Sequence, residues 1–366
     1  MNKLAKDLVI VAAKRTPFGG FGGGLKSLSA TDLGVEAAKA ALNAGEIEPQ
    51  HIDSVIFGNV LQTSKDAIYH ARHIGLRVGV PIETPALTLN RLCGSGFQAL
   101  VSAAQDILTG QAETVLCGGA ESMSQAPHVM YGARWGLRLG QAPLVDGLWE
   151  SLYDPYAELA MSGTAEKLAK QYEISRDEAD AFAALSQQRY AAGLAAGNYA
   201  AELAPVTISS RRGDVVVDSD EHPKPSTTVE KLGTLRTAFG KDGIITAGNA
   251  SGINDGAGAM VLTTAAKAAE MGWKPLSRLV SWGVVGCEPK TMGLGPVGAT
   301  KRALKMAGLE LSDLDIVDVN EAFAPQYLAV ERELGLDREK TNVNGGAIAV
   351  GHPLAASGAR ITMHVA

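Results

Sequence analysis

The sequence predicts an α/β fold made of two similar halves with a further region inserted between them. Three observations carry that prediction. Short apolar strands alternate with helical stretches through the first 120 residues, the pattern of a mostly parallel sheet covered by helices. The same rhythm returns after residue 251. Each half also holds a strand that turns sharply into a helix with a chemically versatile residue at the turn, Cys93 in one and His352 in the other.

In chain order, residues 7–13 read as a buried strand. The GGFGGG run at 19–24 follows a strand but misses the GxGxxG spacing and opens no well-formed helix, so it reads as a flexible connector rather than a phosphate cradle. Residues 31–43 form a helix that Ser29 or Thr31 can cap and that Gly45 follows. A strand at 52–57 precedes a helix at 66–78. That helix carries His70 and His73 without the further ligands a metal needs, so a solvated or interface face is expected. Next come a strand at 86–89, the turn Cys93-Gly94-Ser95-Gly96, a helix closed by Gly110, and a strand at 114–117 running into Gly118-Gly119.

From 121 to about 248 the alternation stops, and Pro, Tyr, Trp and mixed charges take over. Amphipathic helices are expected at 164–172 and 176–196, the second capped by Ser175 with Glu178 three residues on. Segment 209–225, with Arg211, Arg212, His222 and Lys224, reads either as a solvated loop or as an anion contact. The region as a whole reads as a lid on the α/β core. The core resumes with a strand at 259–263, a long strand at 276–287, a helix at 297–307, a strand at 314–320, a helix at 321–334, a short strand at 342–344 and a helix from 354 onward. The expected division is therefore 1–120, an inserted 121–248, a return to the first core at 249–273, and a second half at 274–366.

Composition narrows the function. At 366 residues, with 46% apolar and 20% charged, the chain is an ordinary globular one of more than one domain. Forty-two residues are glycine, above the average of ~7%, which points to tight turns and close backbone approach to a ligand. A net charge of −6 without a basic run argues against nucleic-acid binding. Three cysteines in no CxxC or metal spacing support neither a disulfide scaffold nor a metal site. The opening apolar run is too short for a signal segment, and no run approaches the ~18 residues of a membrane span, so a reducing, cytoplasmic setting is expected.

A cysteine at a helix start feels the positive end of the helix dipole, which lowers a thiol from ~8.5 toward neutrality. A buried structural cysteine beside a Gly-rich turn would share the pattern. His352 precedes Pro353, which suits a first helical turn. If the halves are related by a pseudo-twofold axis, the two helix starts meet near the centre and Cys93 faces His352. Asn320, at a strand-to-helix junction, is either an N-cap or a donor able to hold a water or polarise a carbonyl, and the neighbouring Glu321 can orient groups around it. Thiol, imidazole and amide together suit acyl transfer. A Cys–His protease would use similar parts but needs an open peptide cleft.

LNRLCGSG (89–96), GNASGINDGAGA (248–259), NEAFAPQ (320–326) and NGGAIAVGHPLAASGAR (344–360) resemble the successive signatures of the thiolase family. VAAKRTPFG near the start and CGGAESMSQAP (117–127) match as well. The resemblance runs through the whole chain and is nearest to degradative 3-ketoacyl-CoA thiolases, though acetoacetyl-CoA-forming thiolases share every main motif. It implies two βαβαβαββ halves with mixed sheets and helices in layers, and a loop domain over coenzyme A. It implies that Cys93 accepts the acyl group of a 3-ketoacyl-CoA, that acetyl-CoA leaves, and that a second CoA takes the acyl group in a ping-pong scheme. His352 would activate Cys93 and share an oxyanion hole with a water held by Asn320, the Cys93 N–H helping to form another. The resemblance further implies Lys224 near the nucleotide phosphate, Ser251, Leu152, Ala247 and Gly248 along the pantetheine, and Met161, Met292 and Phe323 around the acyl pocket. It implies no permanently bound cofactor or metal, and a homodimer or homotetramer. The family continues past its GHP helix into two more strands and a CxGGG turn whose cysteine moves the α-proton. This chain ends at Ala366, with Cys117 and Cys287 in other motifs. On that ground a truncated acyl-CoA-binding pseudoenzyme stands as an alternative, and a Cys–His thioesterase built on the same constellation as another.

Overall fold

The computed structural model describes residues 4–140, 143–211, 213–240 and 242–366; Arg212 lies outside them. A seven-stranded mixed sheet organises the first half. Its strands are β1 (Leu8–Arg15), β2 (Gly19–Gly20), β3 (Ser54–Gly58), β4 (Ala86–Leu89), β5 (Thr114–Ser122), β6 (Asn254–Thr264) and β7 (Ser277–Leu279). The order is β7-β1-β6-β5-β3-β4, with β2 on β6. The β5-β3-β4 steps are parallel; β7-β1, β1-β6 and β6-β5 are antiparallel. Because β6 comes from far along the chain, the return to the first core after the inserted region is built into the middle of this sheet.

Side chains alternate along each strand, so one residue faces each way in turn. Val9, Val55, Leu116 and Val261 face α1 (Ala30–Ala44) and α2 (His70–Arg77). Leu8, Ile56, Cys117 and Met260 face the other side, against α3 (Ser95–Thr109) and the last helix. Cys117 is thus a core residue. Ser29 caps α1 in a full capping box with Asp32. His70 is buried against Thr31 Oγ1 at 3.2 Å, which corrects the expectation of an exposed histidine face.

The two long helices of the inserted region are α4 (Met161–Gln171) and α5 (Arg176–Ala195). They pack into one core with α6 (Gly295–Ala307) and α7 (Ala324–Leu334), where Phe182 stacks on Tyr327 at 4.1 Å. The insertion is therefore married to the second half. Buried Arg15 on β1 ties the regions together. It donates to Glu202 at 2.6 Å and to both oxygens of Asp220 at 2.7 and 2.9 Å. Glu202 also accepts from His364 at 2.8 Å, on α8 (Leu354–His364). The Gly-rich loop is clamped rather than free: Glu221 fills it, accepting from the N–H groups of Gly20 at 2.8 Å and Gly24 at 3.0 Å.

The expected strands of the second half are largely not formed as strands. Of 276–287 only β7 joins a sheet, 314–320 yields one bridge, Val317 to Thr341, and 342–344 yields none among the described residues. A strand needs a neighbour for its N–H and C=O groups. Asn342 supplies part of that role with its side chain, exchanging hydrogen bonds with both the N–H and C=O of Val319 at 2.7 and 2.9 Å.

The expected meeting of the two helix starts is observed. α3 and α8 touch backbone to backbone through Gly96 and Gly358. A Cβ on Gly96 would overlap Ala359 N, and one on Gly358 would overlap Phe97 N. Gly96→Val is expected to destabilise the chain by about 3 kcal/mol or more, because the obstacle is backbone and cannot move aside. Gly110→Ala, at an open αL cap, should cost only about 1 kcal/mol. Chemical denaturation of the two variants checks the contrast.

Candidate active site

The turn that carries Cys93 is tight. Leu92 takes φ +49°, a left-handed conformation that a non-glycine residue holds at a cost of about 1–2 kcal/mol. Gly94 N–H donates to Arg91 C=O at 3.0 Å and Ser95 N–H to Leu92 C=O at 2.9 Å. The Ser95 hydroxyl completes the turn, accepting from Arg91 N–H and donating to Leu92 C=O. Cys93 is half-buried and packs on Met123, Leu148 and Leu354, the last being the first residue of α8. The two helix starts therefore share one apolar cluster.

His352 is buried, and its N–H donates to Asn254 Oδ1 at 3.0 Å. Gly351 precedes it at φ +101° against the same Asn254 amide, where a Cβ would overlap the side chain. The Ser357 hydroxyl donates to Pro353 C=O at 3.0 Å and so accepts from His352 Nδ1–H at 2.6 Å. That assigns the proton to Nδ1 and leaves Nε2 as the basic nitrogen. The Asn320 amide nitrogen lies 3.4 Å from Nε2, and its Oδ1 is buried without a partner among the described residues. An unpartnered acceptor beside the imidazole fits a bound water, which can donate to Oδ1. Asn320 precedes α7 by four residues and is not its N-cap, which is Phe323. Glu321, behind it, accepts from Ser186 Oγ, Asn342 Nδ2 and Ile348 N–H at 2.6, 2.8 and 3.2 Å, and so fixes the loop leading to His352.

The electrostatics reverse one expectation. Burial, with the Glu121 carboxylate adding to it, pushes the Cys93 thiol up to about 11. The dipole does not win because α3 begins only at Ser95, and the turn spends its own first N–H groups internally. Burial, with Arg360 nearby, pushes His352 down to about 4. Thiol and imidazole are therefore both neutral at rest. Removing the Nδ1 acceptor should disturb the tautomer. Ser357→Ala is expected to lower kcat about 10-fold, the worth of one buried hydrogen bond of roughly 1–2 kcal/mol, with KM little changed in steady-state kinetics.

The other expected positions divide. Leu152 joins the Cys93 cluster, and its C=O accepts from Met161 N–H at 2.8 Å. Ser251 N–H donates to Ala322 C=O at 3.0 Å, Asn249 C=O accepts from Ala324 N–H at 2.8 Å, and Ala250 bridges Phe323, so 249–251 runs beside 322–324, while Gly248 lies against Leu232 and Leu235. Phe323 packs on Ala165, Ile245 and Ala250. Lys224 is exposed, its N–H bound to Gln187 Oε1 at 2.8 Å. Met292 sits in the turn Pro289–Leu294, its C=O 3.7 Å from exposed Cys287 Sγ. His222, left open in the loop reading, packs against Gly252 beside Asn254. Sequence reasoning missed Glu121, Asn254 and Ser357. A lone carboxylate inside the apolar strand TVLCGGAES was the available signal for Glu121.

The family description "Thiolase, N-terminal domain" matches residues 8–266, and "Thiolase, C-terminal domain" matches 273–366. The mitochondrial 3-ketoacyl-CoA thiolase of Homo sapiens is 56% identical over 363 residues, 99% of this chain and 91% of that protein. An acetyl-CoA acetyltransferase of Pseudomonas aeruginosa is 48% identical, covering 97% of this chain and 91% of that protein. The solved structure of human mitochondrial 3-ketoacyl-CoA thiolase in complex with CoA superposes with a TM-score of 0.97 at 55% identity, over 99% of this chain and 91% of that one.

Proposed function

The chain belongs to the thiolase family, and we propose that it cleaves 3-ketoacyl-CoA with CoA to acetyl-CoA and an acyl-CoA two carbons shorter. The observation that carries the reading is the meeting of the Cys93 turn with the His352 helix, with Asn320 at the basic nitrogen of the imidazole. As the thiol attacks the 3-keto carbon, its proton passes to His352 Nε2. The C2–C3 bond breaks, acetyl-CoA leaves as its enolate and takes the proton from His352 Nε2, and the acyl group stays on Cys93 as a thioester. A second CoA thiol gives its proton to the freed Nε2 and carries the acyl group away, and that proton returns to the Cys93 thiolate. Asn320 and the Cys93 N–H are the donors for developing oxyanion charge.

The assignments of Lys224 to the CoA phosphates, of Leu152, Ala247, Gly248 and Ser251 to the pantetheine and of Met161, Met292 and Phe323 to the acyl pocket belong to this proposal. So does the division at 120, 248 and 273, with the inserted region covering CoA. Leu152, Ser251 and Phe323 gain support from lying beside Cys93 and Asn320. No described helix is long and apolar enough to cross a membrane; a cytoplasmic setting is part of the proposal. Self-association as a dimer or tetramer is supported by exposed Ile82, Leu87, Leu92 and Phe97 along the β4 edge of the sheet.

Mixing the protein with acetoacetyl-CoA, with and without free CoA, tests the reaction. Loss of the ketoester that depends on CoA is the expected result. Release of free acid without CoA would point instead to a thioesterase, and tight binding without turnover to a pseudoenzyme.

A further inference from the structure

The buried carboxylate of Glu121, on β5, has no part in the steps above, yet it is tied to both sides of the site. Each of its oxygens accepts two hydrogen bonds. Oε1 takes Asn59 Nδ2 at 3.0 Å and Leu61 N–H at 2.9 Å. Oε2 takes Val60 N–H at 3.2 Å and Ala355 N–H at 3.1 Å. Ala355 stands in the first turn of α8, three residues after His352. Segment 59–61 is the floor under the Cys93 turn. Asn59 N–H donates to Leu89 C=O at 3.1 Å, Asn90 Nδ2 donates to Val60 C=O at 3.3 Å, and Val60 and Leu61 pack in the same cluster as Cys93.

We propose that Glu121 is a positioning residue that sets the Cys93 turn in register with the His352 helix for proton transfer. Four donors and no acceptor hydrogen-bond to it, three of them backbone N–H groups that cannot reverse, so the arrangement favours the carboxylate form. A protonated acid or a glutamine places a hydrogen against two N–H donors whichever way it turns, and breaks one pair. Losing the Oε2 pair frees α8; losing the Oε1 pair frees the floor of the turn. The charged and titratable groups that bear on it are Asp255 on β6 and the thiol of Cys93, while α8 contributes Arg360, which acts on His352. Burial raises the Glu121 carboxyl to about 7; its donors oppose the rise and Asp255 adds to it. Alignment is therefore full above that pH and lost as pH falls through it.

This inference rests on the acyl-cysteine reading, and its test separates the two. Acylation of Cys93 by acetoacetyl-CoA, without free CoA, needs His352 as base; alkylation of the same thiol by iodoacetamide at alkaline pH does not. Glu121→Gln is expected to slow acylation about 100-fold, the cost of a misplacement near 1 Å, while alkylation does not slow, since losing the neighbouring charge lowers the thiol. The limb near pH 7 in the wild-type acylation rate should vanish in the variant. Equal losses in both rates, no loss in either, or an unchanged limb would overturn the inference. If Glu121→Gln does not fold, Asn59→Ala keeps the charge and removes one donor, and should show the same split at about 10-fold; a variant without the split overturns the inference equally. A wild-type chain that forms no adduct on Cys93 removes the reading itself, whereas a wild-type adduct with unaltered variants removes only the role of Glu121.

Discussion

Cys93→Ala lowers CoA-dependent cleavage of acetoacetyl-CoA by at least about 10⁴-fold, with CoA affinity preserved, since nucleophile removal leaves only binding and oxyanion donors to accelerate the reaction. The size of the loss follows from the covalent step: without a thiol the acyl group has nowhere to go. The fold should tolerate the change well. Cys93 is half-buried at the edge of a small cluster, and the hydrogen bonds that shape its turn come from Arg91, Leu92, Gly94 and Ser95 rather than from the sulfur. Calorimetric titration of CoA beside steady-state thiolysis checks both halves of the expectation.

His352→Gln comes next in size, with an expected fall of about 10²–10⁴-fold in kcat, the range of a lost general base. Thiol and imidazole rest neutral, so nothing else nearby is poised to take the proton. Because His352 is held down to about 4, the basic form is present above that pH and is lost only as pH falls through it. The imidazole therefore contributes no limb at the ordinary histidine value of ~6.5. A wild-type limb near 7 belongs to Glu121 on the account above, and a pH–rate series on acylation distinguishes the two origins.

Much of this was legible in the sequence. Short continuous apolar runs at 8–11 and 55–57 and the capped helix after Ser29 announce the layered first half. The paired turns at Cys93 and His352 announce a meeting that Gly96 and Gly358 make physically close. What could not be read is what depends on distant partners. Segments 276–287 and 314–320 are strand-like in composition, but strands form only where a neighbour completes their hydrogen bonds, and among the described residues they find little more than β1 and Thr341. The thiol's upward shift was hidden for a related reason. Sequence shows the helix that would lower it but not the carboxylate of Glu121, 28 positions away in the chain, or the depth of burial. Ser357 and Asn254 look like helix and strand filler until Nδ1 and the N–H of His352 are seen to rest on them.

The central claim is that Cys93 carries the acyl group between two CoA molecules. Mass spectrometry of the Cys93 peptide, after brief mixing with acetoacetyl-CoA in the absence of free CoA, tests it most directly. The account predicts one acetyl group on Cys93, discharged as acetyl-CoA when CoA is added. An unmodified Cys93 during turnover, or an acetyl group that leaves only as free acetate, would contradict it.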